Sequence, residues 1–178
     1  DTEYEYDARG NRTIDDNTYS MTYDARTYTY DARRNVSTIS GKYWVDPDWH
    51  EYVVTNAYDA RNRRVFKSFL DLETEQESNW FFYYDPHDRL TETRWTPDIG
   101  DEETFTLYQV TWLGLRPVHM ATSNFPSETF ARAYFHTDET TRPLEMYDFP
   151  DSGDAERIWA INPDALGNDL ILTGSSIF

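Results

Sequence analysis

The chain has 178 residues, no cysteine and a formal net charge of −17, from 33 acidic and 16 basic residues. The missing cysteines exclude disulfides and thiolate metal sites, and the acid excess argues against a nucleic-acid partner, which needs a basic face. No apolar run reaches the ~18 residues of a membrane-spanning helix, no basic-then-apolar leader opens the chain, and the start at Asp1 fits a processed product or an excised segment. Aromatic residues make up 17% of the chain, so Tyr, Phe and Trp carry most of the burial expected of it.

In chain order, what recurs is alternation rather than helical periodicity. Tyr4 and Tyr6, Met21 and Tyr23, Tyr28 and Tyr30, and Tyr52 and Val54 each sit two apart, the spacing that puts both members on one face of a strand. The tetrad Tyr-Asp-Ala-Arg stands at Tyr6–Arg9, Tyr23–Arg26, Tyr30–Arg33 and Tyr58–Arg61, with a cognate at Tyr84-Asp85-Pro86-His87. Turn-like text follows: "ARGNR", "ARRNV", "ARNRR" and "PHDRL". Their third residues are Gly10, Arg34, Asn62 and Asp88. Gly, Asn and Asp accept a positive φ cheaply, as a tight hairpin requires; Arg34 breaks that pattern, as does Thr27 after the copy at Tyr23.

The unit therefore reads strand, Tyr-Asp, turn, strand. Its predicted structural joints are Tyr6 and Asp7, Tyr23 and Asp24, Tyr30 and Asp31, Tyr58 and Asp59, and Tyr84 and Asp85. An aspartate before a turn accepts backbone N–H bonds, and the tyrosine packs on the neighbouring strand.

The tetrads end before the acidic stretch "TPDIGDEE" (Thr96 to Glu103), after which strand-like text continues in "TFTLYQVTWLG", "FARAYFHT" and "LILTGSSIF". We expect one all-β domain over 1–178, with tetrad repeats in 1–95 and further hairpins in 104–178. At ~11 residues per strand and turn it holds roughly 16 strands, and at ~4.8 Å spacing a closed ring of them is only about 25 Å across.

Candidate chemistry is sparse. His50, His87, His119 and His136 are scattered without metal-ligand spacing. Asp46 and Asp48 with Glu51, and Asp98 and Asp101 with Glu102 and Glu103, are candidate calcium ligands through hard oxygens, although a solvated acidic turn is the simpler reading. No other cofactor is expected. Trp44, Trp49, Trp80 and Trp95 could stack on sugars, but their strand-like context favours packing. Asn11 and Asn35 begin Asn-x-Ser/Thr sequons. No Gly-x-Ser-x-Gly, cysteine or phosphate-binding glycine loop occurs, which counts against an enzyme, and no carboxylate pair stands out as a hydrolytic one.

"YDARGNRT", "YDARNRRVF" and "YYDPHDRLTET" resemble the YD repeat of Rhs proteins. "YQVTWLGLRPVHM" resembles the Leu-Gly…Arg-Pro strand pair of an Rhs core; "RAYFHTDETTRPLEMYD" resembles its Tyr-x-x-His-Thr-Asp segment, at Tyr134, His136, Thr137 and Asp138; and "RIWAINPDALGN" resembles the block that follows, at Trp159, Ala160 and Gly167. The resemblance implies a secreted or cell-surface all-β protein, whose long relatives coil hairpins into a hollow shell able to hold a toxin, as in toxin complexes and teneurin receptors. The family's His-Leu-Gly after the aspartate is replaced by Glu139-Thr140-Thr141, and its aspartyl self-cleavage motif is missing from these residues. A piece this small is a wall segment or a small barrel-like body. Its expected partners are other YD-repeat segments or copies of itself through open edges, with a glycan or a surface protein as the alternative.

Overall fold

Period-two patterning becomes strands throughout. In this computed structural model, which describes residues 2–17, 25–97, 104–127, 129–137, 143–148, 156–163 and 169–173, no helix occurs among the described residues, so none is long and apolar enough to cross a membrane. The strands are β1 (Thr2–Tyr6), β2 (Arg12–Asn17), β3 (Arg26–Tyr30), β4 (Val36–Val45), β5 (Asp48–Tyr58), β6 (Arg64–Asp71) and β7 (Glu77–Tyr84), then β8 (Leu90–Thr96), β9 (Phe105–Leu113), β10 (Arg116–Phe125), β11 (Thr129–Thr137), β12 (Pro143–Asp148), β13 (Glu156–Pro163) and β14 (Asp169–Thr173).

They form one 14-stranded sheet in strict chain order, each strand antiparallel to the next. β1 and β14 lie at its two ends, so the sheet is open and curved rather than closed into a barrel. At ~4.8 Å per strand it measures about 62 Å across the strands. The roughly 16 strands expected from sequence are 14, because strands such as β5 run to 11 residues and the connections after β2 and β8 are long. The acidic stretch does not divide the sheet: β8 and β9 pair on either side of it, with Glu92 opposite Gln109 and Trp95 opposite Thr106.

Alternation fixes the faces. In β5, Tyr52, Val54 and Asn56 are buried while Glu51, Thr55 and Ala57 are exposed. The register carries the buried set outward: Val54 lies between Ile39 and Phe69, and Tyr52 between Gly41 and Asp71. The Tyr52 and Phe69 rings stack at 5.4 Å, and Tyr43 meets both edge-on. Gly41 makes room for this: a Cβ there would stand 3.0 Å from the Ala25 carbonyl oxygen and 3.1 Å from the Tyr52 hydroxyl.

Further along the same face Met120, Ala133 and Met146 form a second cluster, packed by Tyr108, Val110 and Phe135. Among the described residues no large side chain is fully buried. A single-layer sheet has no second layer to press against, so it relies on backbone ladders and cross-strand side-chain pairs.

Candidate functional site

The connections from odd to even strands all lie along one edge of the sheet, and four of them are built alike. Each spans seven positions: Tyr6 to Arg12, Tyr30 to Val36, Tyr58 to Arg64 and Tyr84 to Leu90, the first and last facing each other across the ladder after a one-residue bulge. In the first, the Asp7 backbone N–H donates to the Asn11 carbonyl, and the Gly10 N–H donates to the Asp7 carbonyl. One Asp7 carboxylate oxygen accepts from the backbone N–H groups of Arg9 (2.8 Å) and Asn11 (2.9 Å). The other accepts from the Asn11 side-chain amide at 2.8 Å.

The same five bonds recur around Asp31, Asp59 and Asp85. The sixth position is Asn11, Asn35, Arg63 or Arg89, and its side chain always returns to the aspartate. Sequence reading missed this position, although an Asn or Arg four residues after each turn aspartate was its signal.

The fifth position is left-handed in every joint: φ is 80° at Gly10, 69° at Arg34, 63° at Asn62 and 66° at Asp88. Arg34, which seemed to break the pattern by residue type, follows it in conformation. Five hydrogen bonds impose the turn on a side chain that disfavours it.

The aspartates are held as carboxylates. Backbone donation from Asn11 lowers the pKa of Asp7 below its ordinary value; the Asn35 amide does so for Asp31, and the Arg63 guanidinium for Asp59. At Asp85 burial pushes upward, but Arg89 and the backbone donors outweigh it.

Each joint is also tied to its neighbours. The first-position aromatic donates to the last-position carbonyl of the preceding joint: Tyr30 hydroxyl to Arg12 (2.6 Å), Tyr58 to Val36 (3.0 Å) and Tyr84 to Arg64 (2.9 Å). Burial raises the pKa of Tyr58 and of Tyr84, keeping both hydroxyls as donors. Reaching the other way, Arg33 donates to the carbonyls of Asp59 and Ala60, Arg61 and Arg63 to the Asp88 carboxylate, and Arg89 to the Gly114 carbonyl.

That last contact leads to a fifth turn on this edge, built differently: it has no Tyr-Asp, and only Gly114 and Leu115 separate the paired Leu113 and Arg116. The indole N–H of Trp112 donates to the Leu90 carbonyl at 2.8 Å, the bond a joint tyrosine makes, and Gly114 is left-handed at φ 62°. With Trp112 included, these turns begin at residues 6, 30, 58, 84 and 112, spaced 24, 28, 26 and 28 apart. Sequence spacing looked irregular because of the copy at Tyr23. Tyr23 and Asp24 lie outside the described residues; the Arg26 of that tetrad begins β3, whereas Arg9, Arg33 and Arg61 sit in turns.

Two later hairpins keep the six-residue offset, with Thr137 opposite Pro143 and Pro163 opposite Asp169. The text between the second pair, "PDALGND", reads like the "YDARGNR" of the first joint. Asp138 and Gly167 fall in these intervals, outside the described residues.

The other candidates are dispersed. His136 is exposed and pairs with Glu145 at 3.0 Å, where Tyr147 and Arg157 also donate. Tyr134 faces His119 across β10 and β11, ring centroids 5.2 Å apart. Trp159 is opposite Met146 in the register; its side chain is outside the described ones. Asp46 and Asp48 are exposed at the turn between β4 and β5, while Asp98 and Asp101 lie outside the described residues; among the described residues no three His, Asp or Glu side chains converge as a metal site. Trp44 and Trp49 flank that same turn, edge to face at 5.5 Å and about 40% exposed, so they are less buried than packing in the sheet implied. The sequon nitrogens of Asn11 and Asn35, where a glycan would attach, donate to Asp7 and Asp31.

On the opposite edge, buried Asp71 accepts from the Tyr43 hydroxyl, from His50 Nδ1 (2.8 Å), and from the backbone N–H groups of Glu73 (2.8 Å) and Thr74 (3.0 Å). Burial alone would raise its pKa, but these donors drive it far below the usual carboxylate range. The two backbone donors close the turn between β6 and β7, and Tyr43 and His50 tie it to β4 and β5.

No family model matches the chain, and no curated protein matches it. Among solved structures it is similar to the crystal structure of TcdB2-TccC3-TEV, with a TM-score of 0.39 and 9% identity over 94% of this chain. The chain spans only 10% of the length of that one.

Proposed function

We propose that this chain is a structural YD-repeat wall of the Rhs type, not an enzyme. It forms part of a larger secreted or cell-surface shell, or it joins copies of itself through its open edges. One observation carries the reading: the same seven-position joint is built four times, and the joints are bonded to one another along the edge. Such an array holds successive hairpins at a fixed spacing, which is a mechanical task. The ordered motifs at Tyr134, His136 and Trp159 support the same family reading.

The open edges supply the partner chemistry, since among the described residues β1 and β14 each pair on one side only. Unpaired strand edges add further strands through their N–H and C=O groups. The partners are therefore other YD-repeat segments or a second copy.

A surface-binding module is the second reading, favoured by the exposed Trp44 and Trp49 pair. Sedimentation of the chain across a concentration series, followed by electron microscopy of the same samples, separates the cases. Concentration-dependent rings or fibres support self-assembly. A monomer at every concentration removes it and leaves the segment of a larger shell or the binding module.

A further inference from the structure

The face that carries Tyr52 also bears a cleft of about 380 Å³ between β6 and β10. Its floor and walls include Trp80, Phe82, Tyr108 and Met120, and its cations are Arg64 and Lys67. The Lys67 ammonium lies 4.5 Å from the centre of the Trp80 ring, and the Arg64 guanidinium lies 4.8 Å from that of Phe82.

The charge arrangement here is the reverse of the chain's. Acidic residues outnumber basic ones 33 to 16, yet neither Arg64 nor Lys67 has a carboxylate partner among the described residues. Instead the two cations face the same space and repel each other: burial lowers the Lys67 pKa, and the charge of Arg64 lowers it further. Two exposed arginines elsewhere on the chain have carboxylate partners, Arg61 with Asp88 and Arg157 with Glu145. Two partly desolvated like charges on an aromatic wall cost free energy unless an anion relieves them.

We propose that this cleft binds a small organic anion, a carboxylate on a flat apolar body, with the carboxylate between Arg64 and Lys67 and the body against Trp80, Phe82 and Tyr108. The volume is at the small end of ligand-sized clefts, which span ~300–1,000 Å³, and suits a small molecule rather than a folded partner. Arg and Lys donate charge-assisted hydrogen bonds to a carboxylate, while rings already under a cation offer flat apolar contact. The proposal does not rest on the wall reading, although Arg64, Tyr84 and Leu90 belong both to the cleft and to the joints.

The test uses the unaltered chain with indole-3-acetate and its neutral counterpart indole-3-acetamide, titrated by calorimetry. The acid is expected to bind saturably in the millimolar range or tighter, and the amide at least about tenfold more weakly. Lys67→Gln and Arg64→Gln should each weaken the acid about tenfold and leave the amide unchanged, while Arg61→Gln, on the joint edge, should alter neither. Equal affinity for acid and amide overturns the proposal, as does no saturable binding of the acid at ~10 mM. Unchanged affinity in both Gln variants overturns it too. If a variant fails to fold, the acid–amide comparison on the unaltered chain still decides.

Discussion

The two edges of the sheet solve the same problem in opposite ways. Along the joint edge, four turns share one chemistry: an aspartate, a left-handed fifth residue and a returning Asn or Arg, with an aromatic donor to the joint before in the last three. Along the other edge the connections differ, from the two residues between β4 and β5 to the eight between β8 and β9. There a single buried carboxylate, Asp71, gathers four donors. Distributed bonding tolerates the loss of a member; concentrated bonding does not. Repetition on one edge also sets a common hairpin spacing, leaving the other edge free to vary in loop length.

The largest effect should come from the concentrated site. Asp71→Ala strands the Tyr43 hydroxyl, His50 and two backbone N–H groups, and should cost about 2–3 kcal/mol in denaturant unfolding. Asp59→Ala should cost clearly less, because its joint remains tied to those on either side. If Asp59→Ala proves the more damaging, the contrast between edges is wrong.

Acid unfolding sharpens the same point. Asp71 and the joint aspartates have folded pKa values below their ordinary 3.8. Their stabilisation is therefore complete above about pH 5 and is lost as the pH falls through the ordinary value to the folded ones. The melting temperature of the parent should drop between about pH 5 and pH 2, and Asp71→Asn should flatten that drop more than Asp7→Asn does.

Next in size are the aromatic donors. Tyr84→Phe and Trp112→Phe each remove one hydrogen bond to the preceding joint and should cost about 1 kcal/mol. Trp112→Tyr should cost less than Trp112→Phe, since a phenol can donate to the Leu90 carbonyl as the joint tyrosines do to theirs. Equal costs would mean that Trp112 acts by packing alone.

Smaller still, and opposite in sign, Arg34→Asn should stabilise by about 0.5 kcal/mol, since asparagine tolerates positive φ better than arginine. A loss of stability would place the value of Arg34 in its side chain instead. Last, Arg61→Gln removes an exposed tie to Asp88 and should cost only a few tenths of a kcal/mol, less at high salt. A cost insensitive to salt would argue against an ionic tie.

The turn chemistry was legible because all of its bonds close within seven residues. Tyr-Asp followed by Gly10, Asn62 or Asp88 is enough to name a turn, and the alternation of Tyr52 with Val54 is enough to name a strand face. Asn11, Asn35, Arg63 and Arg89 were equally local, but two residue types of different size and charge fill that position, so no single letter marks it. Trp112 could not be found from the motif, since it shares no letter with Tyr-Asp and is marked only by the bond it makes.

By itself, then, the sequence determined the all-β class, four turn joints and the absence of helices among the described residues, since each depends on near neighbours and on side-chain period. Tertiary structure decided the partners: which carbonyl each aromatic reaches and which turn each arginine grips. Those contacts join residues 18 to 27 positions apart, and only the register of a continuous antiparallel sheet brings such positions side by side.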